Sequence, residues 1–274
     1  MCFVARKGTG LMEAAQLVCL DNIKVFIEDS SENVGRRAAD IFCEALSQAP
    51  CAAFGFATGS TPICLYDELI ARYRSGLLSM EGISAFNLDE YYPIEQGSDQ
   101  SYDYFMKKQL FDHVNVSPEK RDIPSGEALD PELECRRYEE AIRAHENFKL
   151  QIVGIGENGH IGFNEPAHVF PAKTNYVALS DSTITANARF FESEAAVPRH
   201  ALTMGVGTIM MAEEILLIAT GPHKSKIVAQ SLLGAIDPQV SASALQMHRK
   251  VSVVLDIDAA QDFLRQLADS PAAS

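Results

Sequence analysis

Short apolar runs alternate with longer amphipathic stretches along most of this chain. Ile23-Lys-Val-Phe-Ile27, Ala52-Ala-Phe-Gly-Phe56, Ile83-Ser-Ala-Phe-Asn87, Leu150-Gln-Ile-Val-Gly154, Glu214–Ala219 and Val251-Ser-Val-Val-Leu255 read as strands. Several are apolar almost without interruption, the mark of strands covered on both faces. Helix-like stretches lie between them at about residues 31–48, 62–73, 101–111, 131–146, 181–190 and 223–234, with Ser30 or Ser31 as the first cap. Such alternation predicts an α/β fold with an open, mainly parallel sheet and helices on both faces, a three-layer α/β/α arrangement. Residues 1–21 lack a clear period and read as an N-terminal arm. No repeat, linker or low-complexity tract cuts residues 22–274, which are expected to form a single domain.

Composition changes the picture mainly for partners. With 37 acidic and 23 basic residues the net charge is −14, which argues against nucleic acid. An anionic substrate would need a local cluster of cations and amides, working against the overall field. No stretch approaches the roughly 18 to 20 apolar residues of a membrane span. The apolar run Leu17-Val-Cys-Leu20 is short and has Glu13 upstream, which is unconvincing as a signal peptide. The six cysteines (Cys2, Cys19, Cys43, Cys51, Cys64 and Cys135) show neither a Cys-x-x-Cys pair nor metal-ligand spacing. They are expected to be buried thiols in a reducing, cytoplasmic compartment, without a bound metal.

Four loops follow predicted strands, where an open α/β sheet gathers its ligands. The first, Ala57-Thr-Gly-Ser-Thr-Pro62, offers the amides of Gly59, Ser60 and Thr61 at a helix N-terminus, a natural phosphate cradle. A plain capped turn would look the same. The second, Phe86-Asn-Leu-Asp-Glu-Tyr-Tyr92, brings Asp89 and Glu90 to the end of a buried strand. A carboxylate there can serve as a general base if its neighbours tune it, although a solvated acidic turn is common. The third, Gly154-Ile-Gly-Glu-Asn-Gly-His-Ile-Gly-Phe-Asn-Glu-Pro166, carries His160 and Glu165. His160 suits proton shuttling near neutral pH, and Glu165 is placed to orient it. The fourth, Ala219-Thr-Gly-Pro-His-Lys224, supplies Lys224, and Arg189 in Ala186-Asn-Ala-Arg-Phe-Phe191 is a second candidate anion ligand.

Together these segments, with Ser101-Tyr-Asp-Tyr-Phe-Met106, Phe111-Asp-His113, Ala201-Leu-Thr-Met-Gly-Val-Gly-Thr208 and Leu245-Gln-Met-His248, resemble the glucosamine-6-phosphate deaminase family. The resemblance runs from about residue 52 to 255. It implies a modified Rossmann-like fold and conversion of an amino-sugar 6-phosphate into fructose 6-phosphate and ammonia, with no cofactor. By carry-over His160 opens the pyranose ring, oriented by Glu165. Asp89 then moves a proton between C2 and C1, while Gly59, Ser60, Thr61, Arg189 and Lys224 hold the phosphate. Many members have an acid where this chain has Asn158, which is expected to hydrogen-bond the imidazole without adding charge. His168, Asn175 and Val177 stand where allosteric relatives carry serine, arginine and lysine, so that regulatory site is expected to be missing.

Two other readings compete. A 6-phosphogluconolactonase has a similar Gly-x-Gly-x-x-Gly-His loop, but that loop does not continue into Phe163-Asn-Glu-Pro166. A non-catalytic sugar-phosphate sensor of a repressor would need a basic DNA-binding segment, and none is evident. The sugar epimer is left open, and so is assembly into a homo-oligomer.

Overall fold

The computed structural model describes residues 16–145 and 148–269. Strand β1 (Gln16–Leu20) pairs antiparallel with β2 (Ile23–Glu28), so residues 16–20 are an edge strand and not an arm. Most of β1 is exposed, which is why its apolar period is faint. Residues 1–15 of the expected arm, Cys2 among them, and the expected helix end at Glu146 lie outside the described residues. Helix α1 (Ser31–Gln48) starts where the Ser30 side chain accepts the Asn33 N–H, and it buries Val34, Ala38, Phe42 and Ala45 along one stripe.

The chain continues through β3 (Ala53–Phe56), α2 (Ile63–Arg74), β4 (Ser84–Asn87), β5 (Asp89–Tyr92), α3 (Tyr102–Gln109), β6 (Arg121–Asp122) and α4 (Pro131–Arg143). After β7 (Phe148–Val153) come β8 (Asn175–Ala178), α5 (Asp181–Asn187), β9 (His200–Thr203), α6 (Val206–Ile209), β10 (Glu214–Ala219), α7 (Ser225–Leu233), β11 (Val251–Asp256) and α8 (Ile257–Asp269). Eight strands form one sheet in the order β1-β2-β11-β10-β7-β3-β4-β6, parallel except at β1. Helices α1 and α2 pack together, as do α7 and α8, and these layers bury β3 and β10 completely. The expected three-layer arrangement is present.

The pattern did not disclose a second, antiparallel sheet of order β5-β9-β8. Its strands hide for physical reasons. β5 carries two buried carboxylates, and β8 alternates only between half-buried and exposed positions, Asn175 and Val177 being the half-buried ones. Helix α8 was missed as well. The five described cysteines are free, but only Cys135 is buried; Cys19 lies exposed on β1 and Cys51 in the turn before β3. The expectation of buried thiols is corrected there.

Glu139 of α4 braces the chain around the small sheet. Its buried carboxylate accepts the Thr174 N–H (3.0 Å), the Thr174 hydroxyl (3.0 Å) and the Thr208 hydroxyl (2.8 Å), and pairs with Arg143 at 2.8 Å. Burial pushes its pKa up, but these bonds prevail and hold it below the ordinary value. That stabilisation is present above the unfolded-state pKa and is lost as pH falls through the lower folded-state value. Glu139→Ala is expected to cost about 1–3 kcal/mol at neutral pH, because the buried Thr174 N–H loses its acceptor while the exposed Arg143 does not become a buried charge. Urea unfolding at pH 7 checks it, and a loss under about 1 kcal/mol would contradict the bracing role.

Candidate active site

The joint between the two sheets creates the site. Strand β4 ends at Asn87, and the next peptide serves both sheets: Leu88 N–H donates to Phe56 O on β3 (2.9 Å), and Leu88 O accepts the Met204 N–H beyond β9 (2.8 Å). Asp89 therefore starts β5 at a fixed place, opposite Thr203 in the ladder. It opens onto a cavity of about 590 Å³ walled by the loops after β3, β4, β7 and β10 and by residues of α3 and α5. Of the nine residues singled out in the sequence, Gly59, Ser60, Thr61, Asp89, Asn158, His160, Arg189 and Lys224 line this cavity. Glu165 stands behind its wall.

Burial, then the charge of Glu90, drives the Asp89 pKa well above the ordinary carboxylate range. Gly162 allows the close approach of Thr203, the ladder partner of Asp89. The glycine has φ +57°, and a Cβ there would press on Thr203 Oγ1 and reach 3.4 Å from Asp89 Oδ2. The imidazole of His160 lies against the backbone of Gly156, where any Cβ would overlap the ring. Gly156 thus clears room for the imidazole, and Gly162 for the Thr203 hydroxyl beside Asp89.

Behind the imidazole, His160 Nδ1 faces Glu165 Oε2 at 3.6 Å, an ion-pair separation slightly beyond hydrogen-bonding reach. Glu165 is held from other sides. Asn158 Nδ2 donates to Oε2 at 2.7 Å, the Thr183 hydroxyl donates to Oε1, and the Ser180 N–H approaches Oε1 at 3.5 Å. Burial raises the Glu165 pKa, but the attraction of His160 and the bonds from Thr183 and Asn158 bring it down to about 2. It is a carboxylate at any working pH.

The expected contact of Asn158 with the imidazole is corrected. Its amide bridges Glu165 and the His160 backbone, whose N–H donates to Asn158 Oδ1 at 3.2 Å. A side chain two residues before the histidine reaches its backbone more readily than its ring. Asn158→Asp therefore sets two carboxylates 2.7 Å apart, and they must share a proton or repel. The folded-state pKa of that pair rises, so stability relative to the parent is lost as pH climbs through it. The melting temperature is expected to trail the parent more at pH 8 than at pH 5. An equal deficit at both values would contradict this.

At the other end of the cavity, no backbone N–H of residues 59–61 is engaged within the described residues. Arg189, in the turn Ala188–Phe190 after α5, has its guanidinium carbon 4.7 Å from the centre of the Phe190 ring. Lys224 comes from the turn Pro222–Lys224 before α7. Among the described residues neither cation has a carboxylate within 4.0 Å. Burial and then the repulsion of Arg189 lower the Lys224 pKa, while Glu157 works against them. Two cations and free amides lining the same cavity fit a dianion.

The model of the glucosamine-6-phosphate isomerase/6-phosphogluconolactonase family matches residues 28–254. The chain belongs to this family. Glucosamine-6-phosphate deaminases of this family from Clostridioides difficile (42% identical; 87% of this chain, 96% of that one) and Lachnoclostridium phytofermentans (44%; 85% and 98%) are similar to it. A solved glucosamine-6-phosphate deaminase, described as monomeric, superposes with a TM-score of 0.85 at 39% identity over 87% of this chain and 99% of its own. The 6-phosphogluconolactonase of Thermotoga maritima, at 18% identity and a TM-score of 0.65, shares the fold.

Sequence reading missed several supports that this family fold brings to the site. Thr183 has no motif of its own, only the nearby cap Ser180. Ser241, far along the chain, accepts the Ile161 N–H (3.1 Å) and donates to Asn164 O (2.8 Å), clamping the loop of His160. No local signal could have found it.

Proposed function

We propose that this protein is a glucosamine-6-phosphate deaminase, converting its substrate and water into fructose 6-phosphate and ammonia. The observation that carries the reading is one cavity lined by a raised-pKa carboxylate, a histidine backed by a carboxylate, free amides, and two cations without a carboxylate partner among the described residues. Similarity to deaminases at 42–44% identity over most of both chains supports it.

In this reading the amides of Gly59, Ser60 and Thr61, with Arg189 and Lys224, hold the phosphate. His160 opens the pyranose by taking the anomeric hydroxyl proton and returning one to the ring oxygen. Glu165, 3.6 Å from Nδ1, orients the ring for that shuttle. Asp89 takes the C2 proton of the open chain as O1 is protonated from solvent, giving an enolamine, and then returns the proton to C1 as the nitrogen gives one up to solvent. The enolamine thereby becomes a C2 imine, which water hydrolyses to the ketone with release of ammonia. A base beside a latent carbonyl must be strong enough to take a carbon-bound proton, and the raised pKa of Asp89 makes it a stronger base than an ordinary carboxylate.

The test is ammonia release from glucosamine 6-phosphate and galactosamine 6-phosphate, with and without a chelator, beside hydrolysis of 6-phosphogluconolactone. Chelator-insensitive ammonia release is expected. Lactone hydrolysis without ammonia from either amino sugar would move the assignment to the hydrolase side of the family.

A further inference from the structure

Glu90 is conspicuous because it sits beside the base and does not face the cavity. It is buried to 2% exposure and is not among the residues lining the pocket. Its carboxylate is instead occupied by backbone. Oε1 accepts the N–H of Tyr91 (2.8 Å) and of Tyr102 (2.9 Å), and Oε2 accepts that of Asp103 (3.0 Å). Tyr102 and Asp103 open α3, whose cap Ser101 separately accepts the Tyr104 N–H at 3.1 Å. The first turn of α3 is thus fastened to β5 by a residue adjacent to Asp89.

That turn is a wall of the cavity. Asp99, Gln100, Ser101, Tyr102 and Phe105 all line it. The Tyr102 ring stacks nearly parallel to Phe163 (6°, 6.0 Å between centres) and leans on Tyr91 at 4.8 Å. Shifting the backbone of Tyr102 would move this aromatic wall. We propose that Glu90 is a positioning residue for the reaction: its carboxylate fixes the first turn of α3 against the cavity and sets a second negative charge beside Asp89. The inference rests on the deaminase reading above.

The charge has a consequence for Asp89. A neighbouring carboxylate disfavours ionisation, so the base holds its proton more strongly with Glu90 charged than without it. The groups facing Glu90 are Asp89 and Tyr91 on its own strand and Tyr102 and Asp103 on α3, where Asp103 is paired with Lys107 at 2.6 Å. Burial lifts Glu90 itself to about 7, against the three amides. The two carboxyls titrate as a pair.

Two substitutions separate charge from reach. Glu90→Gln removes the charge and keeps the length, so its amide oxygen still reaches the Tyr91 and Tyr102 N–H groups, while its amide nitrogen cannot accept from Asp103. Its kcat/KM profile with glucosamine 6-phosphate is expected to show the acid limb moved to lower pH by about one unit. Glu90→Asp keeps the charge but is too short to span to Tyr102 and Asp103. It is expected to raise KM several-fold with the acid limb in place. Ionisations of the substrate are common to all proteins compared, so they cancel in the differences. An acid limb that stays put in Glu90→Gln overturns the proposal. So does a kcat loss in either variant as deep as that of Asp89→Asn, since Glu90 would then act on the substrate directly. If Glu90→Gln does not fold, the parent decides by amide NMR. The Tyr102 and Asp103 N–H signals are expected to titrate together with the Glu90 carboxyl, and independent or flat responses between pH 5 and 9 count against it. A parent that releases no ammonia refutes the deaminase reading, whereas an active parent with the wrong variant behaviour refutes only this inference.

Discussion

Asp89→Asn is expected to lower kcat by about 10²–10⁴-fold, the usual cost of removing a general base. Binding of a phosphorylated inhibitor should change little, because Asp89 touches neither the free amides of residues 59–61 nor the two cations in the proposed arrangement. The same substitution is expected to stabilise the fold. Burial and Glu90 raise the Asp89 pKa in the folded protein, so its ionised form destabilises the native state once pH exceeds the unfolded value. The neutral amide removes that burden, and the gain should shrink towards low pH, where the parent is protonated too. For the parent, the acid limb of kcat/KM is expected above the ordinary carboxylate range. A variant with near-parental kcat would show that another group takes the C2 proton. Glu90 is a poor substitute, since three backbone amides already claim it.

The second large effect concerns the phosphate. Lys224→Ala is expected to raise KM for glucosamine 6-phosphate by about 10- to 100-fold, the equivalent of one charge-assisted hydrogen bond. Arg189→Ala should act similarly. Unphosphorylated glucosamine is the control: its turnover, however slow, should be insensitive to either change. The size follows from the environment. Lys224 is partly withdrawn from water beside a second cation, so an incoming dianion gains from both charges and relieves their repulsion. If the KM values for the phosphorylated and unphosphorylated sugars rise together, Lys224 shapes the cavity and does not bind the anion.

What could be read from the residues divides along a physical line. The parallel sheet was legible because its strands, such as Glu214–Ala219, are buried on both faces and therefore uniformly apolar. The loops that carry Asp89, His160 and Lys224 were legible because they follow those strands. The small sheet was not, since β5 hides its pairing behind Asp89 and Glu90, whose burial no local pattern reveals. Partnerships were harder than positions. Asn158 was placed beside His160 correctly, but its side chain chose the histidine backbone and Glu165 over the ring. The cradling of Glu165 by Thr183 and the clamp from Ser241 join segments distant in sequence, and only the folded chain brings them together.

Leu88, bonded into the large sheet through its N–H and into the small sheet through its C=O, makes the placing of the base depend on both sheets having formed. The parallel strands around β3 and β4 can assemble without β9, yet Asp89 is not held in place until Thr203 arrives opposite it. In a refolding experiment the far-ultraviolet circular dichroism should therefore recover ahead of ammonia release. A proline in β9, as in Ala201→Pro, breaks the ladder to β5 and is expected to lower turnover far more than the backbone signal of the large sheet, which makes activity a sensitive reporter of the joining of the two sheets.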